Sequence, residues 1–163
     1  MVGTLQYLTM TRPDIAYSVH VVTQFTHFPC TTHLHAAERI LRYLQGTLSF
    51  GLQLRPPSFH LVIVAYSDAD WAGCKDSCRS TKDYVVFFGP NLISWRSEKQ
   101  PTISKSSIEA ECGGVTYTMT ETHWLHYLLR RLDIVLRQSI LVHCINISTT
   151  YIATYIAGQP CFT

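Results

Sequence analysis

The sequence predicts an α/β domain that follows a small helical segment, and three observations lead to this prediction. Apolar residues recur at helical spacing through about the first 45 residues. The proline-containing stretch LRPPS at residues 54–58 then ends that pattern. After it come three apolar runs typical of strands, a long amphipathic helix, a fourth apolar run and a last helix, an order typical of a layered α/β domain. We therefore expect two parts, residues 1–55 and residues 59–163.

Composition limits the classes of protein to be considered. The chain has 163 residues, of which 47% are hydrophobic and 15% charged, so it is long enough and apolar enough to form a folded core. Its net charge of +2 is too small to indicate a nucleic-acid partner by itself. With no run of 18 apolar residues and no signal-peptide pattern at the start, we expect an intracellular protein, cytoplasmic or nuclear, with no membrane span and no secretion.

The six cysteines are then expected to be reduced thiols, with no disulfides. Cys74 and Cys78 are close in sequence, but no second pair stands at zinc-finger spacing, so a structural zinc is not expected.

The first segment is predicted to contain two helices. Thr11 is a candidate N-cap, since Pro13 and Asp14 in the next turn suit a helix start, and this helix should reach about residue 25. A second helix is predicted over residues 32–45, with Gly46 as its stop signal.

The second part should begin with a buried strand over residues 61–66. Two further strands, 84–88 and 91–95, are expected to form a hairpin around Gly89-Pro90. A helix over residues 107–132 follows, and its first apolar face is predicted to consist of Ile108, Cys112, Val115 and Met119. A strand at 140–144 and a helix at 148–157 complete the prediction.

Asp68 and Asp70 are the first candidates for a metal site. They follow a predicted strand, and if the backbone stays extended both side chains leave the same face. Carboxylates in this position can hold a hard cation such as Mg²⁺. Aspartates are also common where strands stop, so a turn or cap is the competing interpretation.

Glu109 is the second candidate. It completes an S-x-x-E pattern with Ser106, so a capping box is the competing explanation. Glu109 and Glu111 project about 200° apart on a helix, so they cannot both face one site. We favour Glu109, because it lies beside Ile108 at the edge of the predicted apolar face.

Several motifs together resemble the Pol polyproteins of Ty1/copia-type retrotransposons. Residues 1–55 resemble the segment that follows the reverse transcriptase palm, through VGTLQYL (2–8), TRPDIA (11–16) and RILRYLQGT (39–47). Residues 59–157 resemble the ribonuclease H domain of the same polyproteins, through YSDADWAG (66–73), RST (79–81), ISW (93–95), KQPT (99–102), SSIEAE (106–111) and NIS (146–148).

This resemblance implies a ribonuclease H-like mixed sheet with flanking helices, and cleavage of RNA in RNA–DNA hybrids by two Mg²⁺ or Mn²⁺ ions. It also implies the rest of the polyprotein, the reverse transcriptase above all, as a partner. The implied ligands here are Asp68 and Glu109, while Ile145 occupies the position of a metal-binding aspartate. The last acidic ligand would lie beyond Thr163. The domain is therefore expected to be truncated at its C-terminal end and inactive or nearly so.

Other departures from the family pattern agree with a degenerate domain. Lys82-Asp83 replace small residues, and Gly113-Gly114 interrupt the long helix at a cost of about 1 kcal/mol each relative to alanine.

Three alternatives remain open. The first is a non-catalytic nucleic-acid-binding or interaction module, with a basic groove formed from Arg79, Lys82, Arg96, Lys99 and Lys105. The second is a D-x-D metal clamp of a nucleotide-sugar transferase, although no phosphate-binding glycine loop accompanies it. The third is residual nuclease activity that uses Asp70 or Glu111 in place of the lost ligand.

Overall fold

The computed structural model of the chain describes residues 2–56, 62–74, 76–136 and 138–151. The chain divides into two compact units, Met1–Leu54 and Arg55–Thr163. None of the helices in the described ranges is long and apolar enough to cross a membrane.

The first unit is helical. Its helices are α1 (Val2–Leu8), α2 (Ala16–Thr23) and α3 (Thr31–Gly46), with a short 3-10 turn at Pro13–Ile15. The predicted helix over 11–25 is thus shorter and begins later. The core of the first unit is built from Leu5, Ile15, Val19, Val22, Ala37 and Ile40.

The prediction of Thr11 as N-cap was wrong. Arg12 precedes the 3-10 turn instead, and the hydroxyl of Thr11 donates backwards to the carbonyl of Leu8. The Arg12 side chain binds Asp14 through two nitrogens, at 3.0 and 2.7 Å, and also donates to the carbonyl and hydroxyl oxygens of Thr47. This buried arginine therefore joins the 3-10 turn to the end of α3.

The second unit has a four-stranded mixed sheet in the order β3-β2-β1-β4. The strands are β1 (Ile63–Asp70), β2 (Thr81–Phe88), β3 (Asn91–Lys99) and β4 (Leu141–Cys144). β2 pairs antiparallel with both β1 and β3, and β4 pairs parallel with β1. The predicted hairpin is confirmed, with Gly89 at φ +56° in its two-residue turn, a conformation that favours glycine.

Helix α4 (Ser107–Arg131) connects β3 to β4 and packs on the sheet. The core between them contains Ile63, Ala65, Tyr84, Val86 and Leu125. Residues 147–151 are helical, and the remainder of the helix predicted over 148–157 lies outside the described residues. Leu61, at the start of the predicted first strand, also lies outside them. This α/β arrangement with a mixed sheet is compatible with a ribonuclease H-like fold.

The inward face of α4 differs from the predicted one. Its buried residues are Ala110, Glu111, Gly114, Val115, Thr118, Thr122 and Leu125. Ile108 and Met119, which the prediction placed inside, are 38% and 48% exposed. The helix is therefore rotated relative to the apolar stripe, and small residues rather than large ones face the sheet at its first turns.

Gly114 explains part of this rotation. A Cβ atom at this position would lie 3.2 Å from the hydroxyl of Ser67 and 3.4 Å from the carbonyl of Asp68. Because these distances leave little room for a side chain, glycine allows α4 to approach β1 closely. Gly114 is thus a packing residue rather than a sign of degeneration.

Candidate functional site

The candidate site lies at the carboxyl end of β1, where the start of α4 crosses the strand. Asp68 is exposed there, and its carboxylate accepts a hydrogen bond of 2.9 Å from the backbone N–H of Ala69. In the antiparallel pairing with β2, Asp83 stands directly opposite Asp68. Like charges that stand directly opposite each other in a sheet are unfavourable. In the sequence, Asp83 stands out only as a departure from the family pattern.

Glu111 is the glutamate that faces this site. It is 7% exposed, and its Oε2 atom is buried without a hydrogen-bond partner. Burial raises the pKa of Glu111, the nearby carboxylate of Asp68 raises it further, and hydrogen bonding from the backbone of Ala69 partly opposes both. An incompletely satisfied carboxylate beside a second one is an arrangement that a cation would stabilise.

Glu109, which the sequence analysis favoured, is exposed and has another role. Its carboxylate accepts a 2.7 Å hydrogen bond from the backbone N–H of Lys105, while its own N–H donates to the hydroxyl of Ser106 at 3.2 Å. These contacts close the start of α4 and supply one half of the predicted capping box, because the carboxylate binds the N–H of Lys105 rather than that of the N-cap residue Ser106. The geometry therefore places Glu111, and not Glu109, beside Asp68.

Asp70 does not join the pair. It is the last residue of β1, and a Cβ atom placed on Gly73 would lie 3.2 Å or less from all three carboxylate atoms of Asp70. Asp70 is thus folded over the turn that follows the strand, as its competing interpretation proposed. The turn is held to the loop before α4 by Trp71, whose indole N–H donates to the carbonyl of Ser104 at 3.0 Å.

Ile145 lies next to the site. The parallel pairing of β1 with β4 ends at Ser67 and Cys144. Ile145 is the next residue after Cys144, just as Asp68 is the next residue after Ser67 on the neighbouring strand. Its side chain is 79% exposed, which is unusual for an isoleucine. The side chain of Asn146 then accepts a 3.2 Å hydrogen bond from the N–H of Thr149 and so caps the helical residues 147–151.

Within the described ranges, no group of three or more histidine, cysteine, aspartate or glutamate side chains is placed to hold a metal ion. The arrangement therefore supplies two carboxylates, Asp68 and Glu111, and an apolar residue at the neighbouring strand end.

Comparison with known proteins gives the family. The chain is 46% identical over 162 residues, 99% of its length, to the retrovirus-related Pol polyprotein from transposon RE1 of Arabidopsis thaliana. It is 43% identical over 162 residues to the corresponding polyprotein from transposon RE2 of the same plant. The chain belongs to the Ty1/copia-type Pol polyprotein family. It spans 11% of the length of either polyprotein.

The chain also covers most of a much shorter relative. The secreted RxLR effector protein 161 of Plasmopara viticola is 44% identical over 131 residues, which are 80% of this chain and 92% of that protein. No family model and no solved structure matches the copia-type chain.

Proposed function

We propose that the second unit is a ribonuclease H-like domain whose ancestral reaction is metal-dependent hydrolysis of RNA in RNA–DNA hybrids, and that this chain has lost the activity. One observation supports both halves of the proposal. Asp68 and Glu111 come together at the carboxyl end of the central strand, whereas the neighbouring strand end presents Ile145.

The two carboxylates suit one divalent cation. The Oε2 atom of Glu111 is buried and unpartnered, and Asp68 adds a second negative charge that a bound Mg²⁺ or Mn²⁺ would neutralise. Ile145 has no atom that can coordinate a cation. The described residues therefore do not complete the ligand set for two metal ions, and a two-metal reaction cannot be assigned to them.

The expected loss is large. If the missing ligand removes about 4 kcal/mol of transition-state stabilisation, cleavage slows roughly a thousandfold.

Cleavage of a labelled RNA–DNA hybrid in Mg²⁺ and in Mn²⁺ tests this proposal. The native chain is expected to leave the hybrid intact. Ile145→Asp should bind Mn²⁺ more tightly than the native chain, seen as a larger metal-induced rise in melting temperature, and any cleavage it gains should require Glu111. Adding Glu111→Gln to Ile145→Asp should remove both effects, whereas adding Glu109→Gln, the matched control, should leave them unchanged.

Two results would contradict the proposal. Metal-dependent cleavage by the native chain that disappears in Asp68→Asn would show a working nuclease. Equal Mn²⁺ stabilisation of the native chain and Ile145→Asp would show that residue 145 is not a ligand position.

The alternative of a hybrid-binding groove has less support. Lys82 and Arg96 both pair with Glu98, at 2.9 and 2.8 Å, and the amino group of Lys99 contacts Cys74. Lys82 is also buried, with its amino group 3.4 Å from the centre of an aromatic ring. Three of the five candidate basic residues are thus engaged within the domain. A hybrid affinity that falls steeply with salt would nevertheless restore this alternative.

A further inference from the structure

The loop between β1 and β2 holds a cysteine against the ammonium group of a lysine. The Nζ atom of Lys99, the last residue of β3, lies 2.8 Å from the Sγ atom of Cys74 and 3.4 Å from the hydroxyl oxygen of Ser77. This cluster is separate from the Asp68–Glu111 pair.

Backbone contacts fix the loop around Cys74. Its N–H donates to the carbonyl of Arg79 at 3.2 Å, and its carbonyl accepts from the N–H of Cys78 at 2.8 Å. Cys78 has a φ of +49°, a conformation that few non-glycine residues adopt, so the chain turns sharply there. The two cysteines therefore stand at opposite ends of a single closed turn. Cys74 is half-buried and Cys78 is exposed, so small reagents can reach both.

The charges around the sulfur favour the thiolate. The ammonium group of Lys99, the hydroxyl of Ser77 and the backbone of the loop lower the pKa of Cys74 to about 6. Asp76 and Arg79 are the other described charged residues of the loop, one of each sign. At pH 7 a thiol with this pKa is about 90% ionised, compared with about 3% for an ordinary cysteine.

From this geometry we infer that Cys74 is a peroxide-reactive thiolate, activated by Lys99, and that Cys78 resolves its oxidised form into a reversible disulfide. A second thiol one turn away distinguishes this cluster from an isolated reactive cysteine, because it supplies the group that a sulfenic acid needs for recovery.

The oxidant in this reaction is hydrogen peroxide. The Cys74 thiolate attacks one peroxide oxygen, the O–O bond breaks, and the leaving hydroxide takes a proton from solvent to become water. The sulfur is oxidised by two electrons to a sulfenic acid while the peroxide is reduced. The Cys78 thiol then gives up its proton and its sulfur attacks the Cys74 sulfur, so that the S–O bond breaks, the leaving hydroxide takes up a proton to become a second water, and a disulfide forms.

The first test uses iodoacetamide, a neutral alkylating agent, on the full chain. Thiolate reactivity falls with falling pKa (Brønsted slope about 0.4–0.5), so Cys74 should be faster than an ordinary thiol only at low pH. Lys99→Met removes the largest of the contributions that lower the pKa of Cys74, so native Cys74 should react faster than Cys74 in Lys99→Met at pH 6 and more slowly at pH 9. The difference is at most about tenfold at either pH, the value for a complete return to the ordinary thiol pKa of about 8.5. Lys99→Arg keeps the positive charge and should keep the native pH profile.

The rates are read by mass spectrometry of the separate peptides. Trypsin cuts after Lys75 and Arg79, so Cys74 and Cys78 fall on different peptides. Cys144 serves as the internal reference thiol, and its alkylation should be unchanged in Lys99→Met. A Cys74 pH profile that is the same in Lys99→Met as in the native chain, with the Cys144 reference also unchanged, would overturn activation by the lysine.

The second test adds one equivalent of hydrogen peroxide. The native chain should yield a linked Cys74–Cys78 peptide pair that a reductant separates. Cys78→Ser should instead accumulate a sulfenic acid at Cys74, trapped by dimedone. A native chain without the linked pair would overturn the role of Cys78, and Cys78→Ser without a dimedone adduct at Cys74 would overturn the peroxide reaction.

Discussion

Replacing Glu111 with glutamine is expected to stabilise the second unit at neutral pH. Glutamine has nearly the same size, but it removes a buried negative charge that lies beside Asp68 and has one oxygen without a partner. Removing a buried charge that lacks a full set of hydrogen bonds stabilises a protein by about 1 kcal/mol, which corresponds to a rise of about 4 °C in Tm for a unit of this size.

The pH dependence of this gain follows from the direction of the pKa shift. The pKa of Glu111 is raised in the folded state above its ordinary value of 4.5. Below pH 4.5 the carboxyl is protonated in both states, so native chain and variant should be equally stable. As the pH rises through the raised folded pKa, the native chain loses stability because it must bury the charge. The difference should therefore grow from zero to a plateau.

Tryptophan fluorescence during urea unfolding measures this effect in the right part of the chain. The three tryptophans, Trp71, Trp95 and Trp124, all belong to the second unit. Glu109→Gln is the matched control, because it removes an exposed carboxylate two residues away and should give no gain. A Glu111→Gln variant that is destabilised at pH 7, or that gains the same amount at pH 4 and pH 8, would refute the buried-charge argument.

Three further predictions concern packing and capping. Gly113→Ala should stabilise α4 by about 0.5–1 kcal/mol through helix propensity. Gly114→Ala should be at least about 1 kcal/mol less stable than Gly113→Ala, because its Cβ atom would crowd β1. Urea unfolding compares the two variants, and equal stabilities would contradict the close approach of α4 to β1. Ser106→Ala should destabilise the same unit by about 1 kcal/mol, since it removes the N-cap acceptor, and an unchanged midpoint would show that the cap is dispensable. In the first unit, Arg12→Met should weaken protection from hydrogen exchange over residues 2–54, because it removes the hydrogen bonds to Asp14 and Thr47. Arg12 lowers the pKa of Asp14, so the stability that this ion pair contributes is present above the ordinary carboxyl pKa of 3.8 and is lost as the pH falls through the lowered pKa. The stability of Arg12→Met should therefore fall less on acidification than that of the native chain. Identical dependence of stability on pH in the two proteins would argue against the ion pair.

Much of the fold was accessible from the sequence because local signals were strong. The hairpin around Gly89-Pro90, the long helix that follows Ser106 and the order of the strands all rest on short-range turn, cap and periodicity rules. The start of the first helix was less accessible. Arg12, and not Thr11, is the residue that precedes the 3-10 turn, and its side chain is held by Thr47, 35 residues away. No local sequence rule can detect a contact of this kind.

The candidate site shows the same division. Motif order could predict that Asp68 and Ile145 lie at neighbouring strand ends, because Asp68 is near the end of β1 and Ile145 directly follows β4. The choice between Glu109 and Glu111 could not be made in this way, because the two residues belong to the same motif and differ only in which side of the helix they occupy.

The sequence alone determined the family and the order of elements, and it led to the prediction that Ile145 replaces a carboxylate. The tertiary structure decided which glutamate meets Asp68. A helix packs by the fit of its whole surface, and here Ala110 and Gly114 let α4 lie closer to β1 than a face led by Ile108 would allow. That rotation buries Glu111 and leaves Glu109 in solvent, and it depends on contacts between residues that are about 45 positions apart in the chain.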